Sequence, residues 1–131
     1  MTAKQLIRVV ALRKGKLKSV EFRIREGERG LSLFEYQGSS RVPEVVEAVR
    51  SLGKQGDLAA AVLQTADIRS LGLVLVHTIG GTSSRQINEL HVEARLPLWR
   101  KLWLFLRGIR AYDYFNDTLS PALCALAHVI E

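Results

Sequence analysis

His91, Glu93 and Arg95 alternate with Val92, Ala94 and Leu96, separated by six residues from a preceding loop that reads Gly80-Gly81-Thr82-Ser83-Ser84. A strict period of two marks a half-buried strand, with one face dry and the other wet. Same-face residues two apart lie about 6.5–7 Å from each other, close enough to converge on one small ligand. A base, an acid and a cation so placed suit acid–base chemistry at a phosphodiester. His91 and Glu93 would exchange protons and Arg95 would neutralise developing phosphate charge. Glu89 begins the same polar face, at the solvated start of the strand. The alternative is a solvated face whose acids and cation pair across the sheet.

The loop offers a second piece of chemistry. Backbone amides and hydroxyls of Gly80, Gly81, Thr82 and Ser83 could cradle an anion. It lacks the Gly-Lys-Ser/Thr ending of a P-loop and the spacing of a dinucleotide fingerprint, so neither is expected. An ordinary hairpin loop is the plain alternative. Arg29-Gly30-Leu31-Ser32 provides another candidate anion contact through Arg29 and Ser32, or simply a β-turn. His77, His91, His128 and Cys124 share no metal-ligand spacing, so no metal or other cofactor is indicated. Cys124 lies among alanines and leucines and is expected to be a buried, inert thiol. His77, in an apolar run, reads as a core histidine, and His128 as a residue near the C-terminus of the last helix.

These groups need a frame to hold them. Residues 5–13, rich in β-branched side chains, read as a strand. Lys14-Gly15 reads as a tight turn, and residues 17–25 as a second strand with Val20, Phe22 and Ile24 inward and Ser19, Glu21, Arg23 and Arg25 outward. Residues 31–36 form a short third strand, and Pro43 opens a helix that Gly53 and Gly56 end. Residues 57–72 allow two readings. One is a helix capped by Asp57; the other is a strand at 58–63 followed by a short helix closed by Gly72. Residues 73–79 have the composition of a buried strand, and 89–96 a half-buried one stopped by Pro97.

Leu98, Trp99, Leu102, Trp103, Phe105, Leu106 and Ile109 give a helix over 98–109 edged by Arg100, Lys101, Arg107 and Arg110. Such a stripe is expected to cover the sheet. Tryptophans with basic flanks also suit a membrane surface. A surplus apolar face around Trp99 and Trp103 could dock a protein partner or a second copy. Ser120-Pro121 starts a last helix. The expectation is one α+β domain over 1–131, with an N-terminal β-hairpin in a mixed or antiparallel sheet of four to six strands. Helices pack on it, two of them C-terminal.

Totals narrow the function classes. The 131 residues carry 19 Lys and Arg against 13 Asp and Glu, a net charge of +6. That excess sits in residues 1–30 and around 95–110, which favours acidic partners such as nucleic acid or nucleotides, although basic groups also serve solubility. The chain has one cysteine and no run approaching the ~20 apolar residues of a transmembrane span. A cytoplasmic protein without a signal peptide is expected. Two functions follow. One is a small basic domain that binds or acts on a phosphate-bearing ligand at the His/Glu/Arg face. The other is a non-catalytic interaction module using the Trp-rich helix.

Overall fold

The computed structural model describes residues 3–130. Six strands form one antiparallel sheet: β1 (Gln5–Leu12), β2 (Leu31–Glu35), β3 (Asp57–Gln64), β4 (Val74–His77), β5 (His91–Arg95) and β6 (His128–Ile130), in the order β4-β5-β2-β1-β3-β6. Between them lie α1 (Val42–Arg50), α2 (Thr65–Ser70), α3 (Arg85–Asn88), α4 (Leu98–Leu106), α5 (Ala111–Tyr114) and α6 (Ser120–Leu126), with a π-helical turn at Phe115–Leu119. The architecture is α+β, with helices on both faces. One core joins Leu6, Val10, Leu33, Leu63 and Val92 to Phe22, Ile68, Leu104, Phe115 and Leu123. The other joins Ile7, Val9, Phe34 and Val62 to Val45 and Ala48 of α1 and to Ile87 and Leu90.

The Lys14-Gly15 turn forms, with both residues at positive φ and an isolated bridge between Arg13 and Lys16. The strand expected after it does not. Residues 19–22 make a 3-10 turn, and β1 takes β2 and β3 as its neighbours instead. The alternation in 22–25 is nevertheless kept. Phe22 and Ile24 are buried while Arg23 and Arg25 are exposed, but within the 3-10 turn the expected sides are reversed: Val20 turns out to solvent and Glu21, expected outward, is buried. Side chains take over the role of a strand neighbour. The Asn116 carboxamide accepts from Ile24 N–H at 2.8 Å and donates to Ile24 C=O at 3.0 Å. Ser120 Oγ donates to Phe22 C=O at 2.7 Å, and Arg8 Nε to Glu21 C=O at 2.9 Å. Buried backbone groups need partners, and a ladder is only one way to supply them.

The strand reading of 57–72 is the one that forms, with β3 running into α2 and Gly72 closing it at φ +85°. Residues 74–77 pair with β5 on one side only, so β4 is the sheet's edge and not a buried strand. Its His77 is exposed, with Nε2 2.6 Å from Glu89 C=O. His128, Val129 and Ile130 leave the last helix and add β6 to β3. Cys124 is half-buried, and burial pushes its thiol pKa up. α4 departs most from expectation. Leu104 is its one buried residue, while Leu98, Trp99, Leu102, Trp103, Phe105 and Leu106 all face solvent.

Truncating Asn116 orphans two buried backbone groups at about 1–3 kcal/mol each. Asn116→Ala is therefore expected to lose about 2–4 kcal/mol of stability in urea unfolding. A loss below about 0.5 kcal/mol, the scale of a surface substitution, would mean that the 22–25 segment is held by something else.

Candidate functional site

An open groove of about 430 Å³ lies between β1, β2, α1 and the loop before α3. Its apolar floor includes Val9, Phe34 and Val49, beside the exposed Leu52, and its polar lining carries Arg8, Arg23, Arg25 and Lys54 together with Ser32, Thr82 and His91. Glu28 is the one acid in the lining.

Each cation has a distinct origin. β1 and β2 pair only at Leu6–Glu35 and Ile7–Phe34. Where that short ladder ends, the enclosed Arg8 guanidinium bridges the chains, donating from Nε to Glu21 C=O and from Nη1 to Ser32 C=O, each at 2.9 Å. Burial works against its charge, and Glu21 and Glu28 support it. The buried Glu21 carboxylate accepts from Ala11 N–H at 2.7 Å and pairs with Lys54 Nζ at 3.1 Å. Arg23 and Arg25 come from the extended segment clasped by Asn116, on its outward side. Among the described residues neither is in an ion pair.

Of the residues singled out in the sequence, His91, Ser32, Gly81 and Thr82 do meet in this groove. Glu93 and Arg95 do not converge with them. Arg95 donates from both Nε and Nη2 to a single Glu93 oxygen, so these two charges satisfy each other along the strand. Gly30 explains how closely Arg95 is held, because a Cβ there would stand 2.5 Å from Ala94 O and 2.7 Å from Arg95 Cγ. Arg29 lines a separate, smaller hollow of about 160 Å³ beside Lys101 and Tyr112. Trp99 and Trp103 lie outside the groove, on the exposed helix.

Part of the loop's hydrogen-bonding capacity is taken up within the protein. Gly80 N–H donates to Asn88 C=O at 3.0 Å and Thr82 N–H to Asn88 Oδ1 at 2.8 Å, so these two amides are already engaged. Thr82 Oγ1 donates to the same Asn88 oxygen at 2.6 Å, Ser84 Oγ caps α3 by accepting from Ile87 N–H, and Ser83 Oγ lies 3.3 Å from Ser51 Oγ. Asn88 thus fixes the loop against the end of α3. What the sequence reading missed were Arg8, Arg23, Arg25 and Lys54. For Arg23 and Arg25 the signal was present, since they were placed on the outward side of an extended segment.

His91 is buried, its ring edge-on to Phe34 at 5.3 Å between centroids, with Nδ1 2.6 Å from Thr78 Oγ1. Among the described residues Nε2 has no hydrogen-bond partner. Burial, then His77 and Arg8, lower its pKa below the ordinary 6.5, with Glu93 opposing. Burial thus favours the neutral imidazole. Comparison of the chain with protein-family models, curated proteins and solved structures finds no match.

Lowering of the folded-state pKa fixes a sign. Between that lowered value and 6.5 the unfolded chain binds more protons, so stability falls as the solution is acidified through this window. Wild-type Tm should drop more steeply than that of His91→Gln between pH 7 and 5. Parallel pH profiles would contradict the burial of a neutral imidazole.

Proposed function

We propose that the groove binds the phosphate backbone of a single-stranded nucleic acid. What carries this reading is the clustering of Arg8, Arg23, Arg25 and Lys54 around one opening with a single acid, Glu28, in its lining. Arg23 and Arg25 stand two apart on extended chain, about 6.5–7 Å of separation. That spacing lets each take its own phosphate, which suits a strand better than an isolated nucleotide. The apolar floor leaves a surface against which a base or sugar can rest.

A catalytic form of the reading narrows from three residues to one. With Glu93 and Arg95 engaged by each other, His91 is the one imidazole in the groove's lining and the candidate to move a proton. If Nδ1–H donates to Thr78, Nε2 presents a lone pair to the groove and can accept a proton from a ribose hydroxyl; the other tautomer makes Nε2 a donor. Glu93 then acts on His91 through its charge alone.

Binding of a labelled RNA or DNA oligonucleotide, followed by fluorescence anisotropy, tests the reading. Two to four neutralised phosphates give a slope of log K against log salt of roughly −1.5 to −3. Arg23→Glu/Arg25→Glu, exposed and outside the cores, is expected to lower affinity about tenfold or more and to flatten that slope by about 1.4. Affinity unchanged by this double variant would remove the groove from the account. Cleavage of the RNA oligonucleotide that His91→Gln abolishes would add the catalytic role, and its absence leaves a binding domain.

A further inference from the structure

α4 raises a separate question, because it turns its apolar side away from the protein. At about 100° per residue, Leu98, Trp99, Leu102, Trp103, Phe105 and Leu106 span a continuous arc of about 160°. The buried Leu104 lies opposite the middle of that arc. Leu98 is 83% exposed, Phe105 76% and Leu106 75%. Arg100 and Arg107 fall on one border of the arc and Lys101 beyond the other. Between Leu96 and Tyr112 there is no acidic residue. The aromatic side chains are also braced by the cations: Arg107 sits 4.2 Å from the Trp103 ring centroid, and Arg100 lies 5.9 Å from Trp99 and 5.7 Å from Trp103. Arg100 Nη2 donates to Tyr114 OH at 2.6 Å, which ties this cluster to the body of the protein.

We propose that α4 docks this protein on the surface of an anionic lipid bilayer, lying in the interface plane. Charge decides between the occupants. A second copy would bring Arg100, Lys101 and Arg107 against the same three cations, whereas anionic headgroups supply the missing opposite charge on both borders of the arc. Shape agrees, because a convex apolar ridge suits a fluid surface that yields to it. Tryptophan, leucine and phenylalanine with Lys and Arg alongside are what in-plane helices use, with the apolar face sunk about 5–10 Å into the headgroup boundary. No helix among the described residues is long and apolar enough to cross a membrane, so the attachment is peripheral.

The chain's two tryptophans are Trp99 and Trp103, so intrinsic emission reports on α4 directly. Titrating the full chain with vesicles of phosphatidylcholine plus phosphatidylserine should shift the emission to the blue, and lipids brominated on their acyl chains should quench it. Phosphatidylcholine vesicles alone should bind at least about tenfold more weakly, the electrostatic share of several basic residues. Phe105→Ser/Leu106→Ser keeps both tryptophans and alters only exposed side chains. With an unchanged circular dichroism spectrum, it should lower the partition coefficient about tenfold or more. Lys101→Glu/Arg107→Glu should erase the preference for anionic vesicles. Absence of any shift with the anionic vesicles would overturn the proposal, as would equal binding to both vesicle types. A concentration-dependent dimer dissolved by Phe105→Ser/Leu106→Ser, with no vesicle binding, would assign the surface to a second copy instead.

Discussion

Ile24 has no strand beside it, yet its N–H and C=O are both hydrogen-bonded inside the protein, by the carboxamide of Asn116. Much of the molecule follows from that clasp. It joins the C-terminal helical region to a segment more than ninety residues earlier. It holds the chain extended from Arg23 on, directly after the 3-10 turn that ends at Phe22, so that Phe22 and Ile24 enter the core with Phe115 and Leu123. The same extension sends Arg23 and Arg25 the other way, to the groove. A carboxamide can serve in this way because it presents a donor and an acceptor at the spacing of a peptide group.

The groove's charge is set by a second group of buried contacts. Glu21 is only 7% exposed, and its carboxylate is matched by Ala11 N–H and Lys54 while its carbonyl takes Arg8. An enclosed arginine would be costly alone, but here it meets two backbone carbonyls and nearby carboxylates. The result is a positive opening whose inner cation is fixed and whose outer cations, Arg23 and Arg25, are free to meet a ligand. On the proposed reading, the fixed charge would position a phosphate and the exposed charges would steer it in.

Much of the frame was legible from periodicity and turn residues. β1, α1 and the Lys14-Gly15 turn lie where composition and pattern place them, and β5 begins two residues later than expected because Glu89 ends α3 instead of starting the strand. For 57–72 one of the two open readings formed, because alanines pack well between β1 and β6 when flanked by Val62 and Leu63. Alternation in 17–25 correctly separated inward from outward residues over 22–25, but period two does not say what pairs with the backbone. Nothing local to Ile24 announces Asn116. For the same reason His91-x-Glu93-x-Arg95 was legible as a polar face but not as a pair plus a lone histidine, since neighbouring opposite charges satisfy each other first. The Trp-rich helix shows the limit most clearly. An apolar stripe states that a surface avoids water, and only the fold shows that the partner is not the sheet.

We propose that one groove, built by Arg8, Arg23, Arg25, Lys54 and the Thr82–His91 wall, takes a phosphate chain. Amide chemical shifts in a 1H–15N titration with a short single-stranded oligonucleotide test it residue by residue. The account predicts saturable shifts concentrated at Arg23, Arg25, Lys54, Gly81, Thr82 and His91, with Glu93, Arg95 and α4 little changed. Shifts centred on Glu93 and Arg95 or on α4, or none at all at millimolar protein and ligand, would contradict it.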